Sequence, residues 1–194
     1  MINMRIVGGK FRGKSLKWTS ESTTRPTKDN VREALFNVLE NSLKFNINSA
    51  RVMDLFAGTG SLVMESISRG AGAATLIETN YKVRKTLWEN IKSLGVEEIC
   101  QVVGLKAQTY LERGNPEGPY DLIFLDPPYR ITYWSTLLNK ITSSDWLQSD
   151  GLIVVETSKT TELKHPGFME LFNRTYGIVK IMILKRECNN ENQA

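Results

Sequence analysis

Three features of the sequence predict an α/β fold, with a parallel sheet covered by helices on both faces. Strand-like runs at 51–56, 75–78, 99–103, 122–125 and 152–156 alternate with helical patterns, which implies right-handed crossovers between parallel strands. Leu122, Ile123, Phe124 and Leu125 form an unbroken apolar run, as a strand buried on both faces requires. The first of these strands ends in Asp54-Leu55-Phe56-Ala57-Gly58-Thr59-Gly60 and then turns helical, the strand–loop–helix unit on which such sheets bind ligands.

The elements follow in order. Residues 4–18 mix short apolar pieces with glycine and basic residues, predicting a small arm or hairpin too glycine-rich for a core strand. A Ser/Thr-rich link leads to Pro26-Thr27, which opens a helix over residues 29–43 with Val31, Ala34, Leu35, Val38 and Leu39 on one face. After the polar link 46–49 the strand–helix alternation begins. Asn80 is placed to cap a helix carrying Val83, Leu87, Ile91 and Leu94. Near the end, residues 175–178 and 179–185 read as two strands around Gly177. The expected organisation is a basic arm over 1–24, one domain over 25–188 and a frayed polar tail over 189–194.

A chain of 194 residues with 41% hydrophobic and 24% charged residues has the balance of an ordinary globular domain. No apolar run approaches the ~20 residues of a membrane span, and no signal peptide opens the sequence. Cys100 and Cys188 lack metal or redox spacing, so a cytoplasmic protein without a metal is expected. It is read as a monomer. His165, the one histidine, sits beside Pro166 in a loop and argues against histidine-based catalysis.

The net charge of +4 is unevenly spread. Residues 1–32 carry eight basic residues against two acidic ones, leaving the remainder at −2. That arm is the footprint of a polyanion binder, with Arg5, Lys10, Arg12, Lys14, Arg25 and Lys28 as candidate RNA contacts. A solvated arm without a partner is the plainer reading. Trp18, beside the arm, suits packing or base stacking; Trp134 and Trp146 read as core.

Chemistry concentrates after residue 125. Pro127 and Pro128 cannot continue a central strand, so Asp126 and Tyr129 are held stiffly just beyond its carboxyl end. A carboxylate, the Pro127 carbonyl and a flat ring suit a planar group bearing an NH2. Taken alone, the motif also fits a rigid turn with a capping aspartate. In the glycine loop, Gly58 and Gly60 permit close backbone approach, and Glu78, twenty residues past Gly58, would meet ribose hydroxyls. Val63 stands where a dinucleotide fingerprint wants a small residue. The loop therefore fits a nucleoside cofactor without phosphates, with Asp54 facing a ligand ammonium.

Together, residues 54–60, Glu78 and residues 126–129 resemble the S-adenosylmethionine-dependent amino-methyltransferases. The chain is more closely similar to the bacterial 16S rRNA guanine-N2-methyltransferase (RsmD) family. Arg25-Pro26-Thr27 with residues 31–37, residues 54–60 with Ser68-Arg69-Gly70-Ala71, and residues 124–129 carry that resemblance, which spans about 4–187. It implies a Rossmann-like methyltransferase fold, with a seven-stranded, mostly parallel sheet ending in an antiparallel hairpin. It implies that Asp54, Phe56, Ala57, Gly58, Thr59 and Gly60 hold S-adenosylmethionine while Glu78 holds its ribose. Asp126, Pro127 and Tyr129 would hold the target guanine, and the partner would be 16S rRNA or a small-subunit assembly intermediate. Lys106 departs from the family, which usually has an acidic or amide residue there for the adenine amino group; Val63 replaces a common glycine and Asn80 a common aspartate. A DNA adenine-N6 or cytosine-N4 methyltransferase, a protein-glutamine methyltransferase and an inactive RNA-binding module are the rival readings.

Overall fold

The computed structural model describes residues 4–19, 29–115, 117–127 and 133–187. The arm is a two-stranded antiparallel hairpin, β1 (Met4–Arg5) against β2 (Ser15–Leu16). Met4, Ile6 and Leu16 are buried in the main core, so the hairpin is packed onto the body. The boundary expected after residue 24 and the tail 189–194 lie outside the described residues.

Helix α1 (Asp29–Asn37) runs directly into a π-helical turn, Val38–Ser42. The helix expected over 29–43 thus has the right extent but widens at Val38, where the Leu43 amide donates to the Val38 carbonyl five residues back. Then follow β3 (Arg51–Asp54), α2 (Ser61–Ser68), β4 (Ala73–Ile77), α3 (Tyr81–Leu94), β5 (Cys100–Val103), α4 (Ala107–Leu111), β6 (Tyr120–Leu125), α5 (Trp134–Ser143), β7 (Leu147–Ser158), β8 (Phe168–Tyr176) and β9 (Val179–Arg186). As expected, Asn80 caps α3, its side chain accepting from the Lys82 and Val83 amides.

The larger sheet has seven strands in the order β5-β4-β3-β6-β7-β9-β8. The first five are parallel, and β9 and β8 add an antiparallel hairpin, as predicted. From β3 the chain steps outward to β4 and β5, then returns to β6 on the other side of β3. That reversal opens a crevice at the carboxyl ends of β3 and β6.

β6 shows why the sheet is covered twice. Successive side chains of a strand point to opposite faces. Leu122 and Phe124 pack with α1, α2 and α3; Ile123 and Leu125 pack with α4 and α5. Each side chain so buried is worth about 1.5–3 kcal/mol relative to exposure. Trp134 and Trp146 are core residues, Trp146 stacking on Tyr120 with ring centroids 6.3 Å apart. Among the described residues, no helix is long and apolar enough to cross a membrane.

Candidate active site

Three carboxylates meet at the carboxyl edge of the sheet. Asp54 ends β3, and Asp126 follows β6 directly. Leu125 pairs with Val155, so Glu156 of β7 comes level with Asp126. Asp54 is 2% exposed and Glu156 5%. Burial drives the Asp54 carboxyl up from 3.8 to about 7, against the hydrogen bond it accepts from the Phe56 amide; repulsion from Glu78 and Glu156 adds to the rise. Asp126 is partly open to solvent at the crevice mouth. It too is pushed well above the carboxylate range, by desolvation first and then by Glu156 and Asp54. Pro127 is buried beside it. Tyr129 lies outside the described residues.

The glycine loop is fixed by its backbone. Gly58 and Gly60 have φ of 53° and 91°, a region that side chains disfavour. A Cβ on Gly60 would come within 2.6 Å of Leu87 Cδ1. Ala57 N donates to the Ile77 carbonyl and Gly60 N to the Ala57 carbonyl. Glu78 closes the loop from the next strand: Oε2 accepts from Gly58 N at 3.1 Å and Oε1 from Asn80 N at 2.7 Å. A carboxylate has about four acceptor positions, so these two bonds leave room for ligand hydroxyls. Burial pushes the Glu78 carboxyl up, opposed by these backbone donors and by nearby Arg84. Phe56 is half-buried, while Ala57 and Thr59 are buried.

Three residues of this region had not been singled out from the sequence. Glu156 ends the apolar run 152–156 much as Asp126 follows 122–125, and that parallel was its available signal. Arg84 Nη1 donates to the Glu78 and Thr79 carbonyls, at 2.8 and 2.6 Å. Asn90, 1% exposed, donates to the carbonyls of Thr59 and Lys17 and accepts from Lys17 N, tying arm to loop. Nothing in its local sequence marks it, because its partners are 31 and 73 residues away.

The arm presents Arg5, Lys10, Arg12 and Lys14 as exposed residues. Arg5 pairs with Asp29 at 3.1 Å, and the Lys10 and Lys14 ammoniums lie 4.8 and 5.1 Å from the Phe11 ring centre. Arg25 and Lys28 lie outside the described residues. Arg32, part of the basic count, is fully buried between Asp29 and Glu65. Lys106 heads α4 and is exposed. Among the described residues, no group of three or more His, Cys, Asp or Glu could hold a metal ion.

The arrangement is a buried acidic crevice with a positive-φ loop on one side. It suits a ligand that carries cationic charge, donates N–H groups and needs backbone close by. Residues 4–185 match the family described as conserved hypothetical protein 95. The Ribosomal RNA small subunit methyltransferase D of Escherichia coli K12 is 34% identical, covering 98% of this chain and 94% of that protein. A solved Escherichia coli chain named as a candidate methyltransferase is 31% identical with a TM-score of 0.80, over 95% of this chain and 98% of that one. A Streptococcus mutans chain named as a candidate S-adenosylmethionine-dependent methyltransferase shares the fold alone, at 16% identity and a TM-score of 0.67, over 84% of this chain and 50% of that one. The Rossmann-like methyltransferase fold expected from the sequence is thereby borne out.

Proposed function

The chain belongs to the conserved hypothetical protein 95 family, the RsmD family of the sequence resemblance, and from that premise we propose that it methylates the N2 amine of a guanine in 16S rRNA, using S-adenosylmethionine. The observation that carries the reading is Asp126-Pro127 at the crevice, in register with the glycine loop and Glu78. The curated relative's name supplies the rRNA.

The residues present fit this cofactor. Gly58 and Gly60 let the loop hold its positive-φ turn, Glu78 retains acceptor capacity for ribose, and Asp54 is a buried acid placed to meet a cation. Bound there, S-adenosylmethionine supplies a methyl group on a positively charged sulfur. Phe56, Ala57 and Thr59 complete the loop that would hold it.

The remaining work falls to the target side. A guanine amine is a weak nucleophile because its lone pair is spread into the ring. Asp126 and the Pro127 carbonyl accept its two N–H protons, which favours a pyramidal nitrogen with a free lone pair. Tyr129, outside the described residues, is the ring that the sequence offers for stacking on the base. Once nitrogen is alkylated it is cationic and acidic, and its proton passes to Asp126 or water. The raised affinity of Asp126 for protons suits that last step. Alignment supplies much of the acceleration, with ~7–11 kcal/mol as its ceiling. The base must be unpaired or flipped to reach the crevice.

Mass spectrometry of small-subunit rRNA nucleosides, with and without this protein, is the test. Loss of N2-methylguanosine in its absence is expected. Loss of a different methylated nucleoside, or no change, would refute the guanine reading, and methyl transfer to DNA would favour the main rival.

A further inference from the structure

A second surface feature lies on α3, beside the crevice. Tyr81, Arg84, Lys85, Trp88 and Lys92 of α3 line a groove of about 480 Å³. Steps of three and four residues keep them on one face of the helix. The opposite face, Val83, Leu87, Ile91 and Leu94, is buried in the core. A solvated helix face ordinarily carries charge without large rings. Here Tyr81 is 73% exposed and Trp88 37%, interleaved with cations.

The charge on this face is not neutralised from within the helix. Glu89 is the sole acid of α3, and it already pairs with Lys17 of the arm at 3.0 Å. Lys85 and Lys92 have no ion-pair partner among the described residues. Arg84 is held by the Glu78 and Thr79 carbonyls and lies 5.8 Å from the Tyr81 ring centre, so that end of the groove is built rather than loose. Cations to meet phosphates and open rings to meet base faces are the combination that binds single-stranded nucleic acid without reading its sequence.

Position adds a second argument. α3 begins three residues after Glu78, at the rim of the crevice, and lower down it holds Lys17 through Glu89 and Asn90. Its exposed face therefore leads from the crevice rim toward the basic arm, over a helix about 20 Å long.

We propose that this face of α3 is the docking track for the unpaired RNA that flanks the target base, with bases stacking on Tyr81 and Trp88 and phosphates meeting Lys85 and Lys92. The inference rests on the reading of the substrate as RNA.

The test uses a fluorescein-labelled single-stranded RNA of about 12 nucleotides, titrated with the full chain at several salt concentrations and read by anisotropy. Lys85→Ala with Lys92→Ala should weaken binding and flatten the log–log salt dependence by about 1.4 units, at ~0.7 per single-strand contact. Trp88→Ala should weaken binding about tenfold, the scale of one stacked base, without changing the slope; Trp88→Phe should recover most of it. Unchanged melting temperature and S-adenosylmethionine affinity keep misfolding apart from lost docking. Wild-type binding with unchanged affinity and slope in both variants would overturn the track. So would normal RNA binding by variants that fail only on the assembled subunit, since the face would then dock protein. Failure of the wild type itself to bind the single strand would also overturn the track, while the substrate reading stands or falls separately on the nucleoside analysis of small-subunit rRNA.

Discussion

At the residue scale, the site is governed by carboxylates that burial deprives of water and that also repel one another. Desolvation and the neighbouring acids hold Asp54 near 7 and push Asp126 up as well. A folded-state value above the ordinary 3.8 means that the folded protein binds a proton the unfolded chain has lost. Stability therefore falls as pH rises from about 4 to about 7, with Asp54 contributing at most about 1.4 kcal/mol per pH unit. Melting of the wild type should decline across that window. Asp54→Asn should flatten part of the decline, while Glu78 and Asp126, also raised, keep the rest. Parallel melting curves for wild type and variant would show that Asp54 does not carry the strain. Asp126→Ala tests the other role. It should leave S-adenosylmethionine affinity in place and nearly abolish transfer, because a lost hydrogen bond to a charged group costs about 1.5–3 kcal/mol and misalignment of the amine adds to that. Near-normal turnover on guanine-containing RNA would remove Asp126 from the chemistry.

At the element scale, local signals read well and long-range ones did not. The buried run of β6, the prolines that end it, the Asn80 cap and the apolar stripe of α3 are each written within about a dozen residues, and all were legible. The sequence marks β8 only from residue 175, yet the strand starts at Phe168. It is an edge strand, with Glu170, Arg174 and Thr175 exposed, so its sequence lacks the apolar run that marks a buried strand. In the sequence Glu156 is a strand end, but its company depends on β7 lying beside β6, a pairing no local pattern encodes. Arg32 adds to the basic charge of residues 1–32 in the sequence, yet it is buried and paired with Asp29 and Glu65, for the same reason. The glycine loop lies between these cases: its turn was visible, while its clamp by Glu78 and Asn90 was not. Gly58→Val tests the loop, since valine resists a φ of 53° and its side chain would stand where backbone should touch the cofactor. Calorimetry should show binding of S-adenosylmethionine lost while circular dichroism still reports the folded chain. Retained affinity would move the cofactor away from this loop.

At the scale of the whole molecule, the arm and the body form one piece. Lys10 N donates to the Ser68 carbonyl and Phe11 N to Ser68 Oγ, while Val7 N donates to Glu65. Glu65, fully buried, also pairs with Arg69, which reaches Glu40. These contacts fix the tip of the arm at the end of α2, about 10 Å along that helix from the glycine loop. Charge is offered there by Lys10, Arg12 and Lys14, because Arg32 is buried, Arg5 faces Asp29 and Lys17 faces Glu89. Phosphate contacts position RNA without reading its sequence, and each releases counterions. Replacing Lys10, Arg12 and Lys14 by alanine should weaken RNA binding and reduce its log–log salt slope by roughly 2–3 units, at ~0.7–0.9 per contact. S-adenosylmethionine affinity should stay, because the three side chains are exposed and the arm's backbone anchors remain intact. Melting should change little for the same reason. An arm that only covers the body predicts the reverse: an unchanged salt slope, with lost stability or lost cofactor binding. Measured together, slope and melting temperature decide between a phosphate-docking arm and a structural flap.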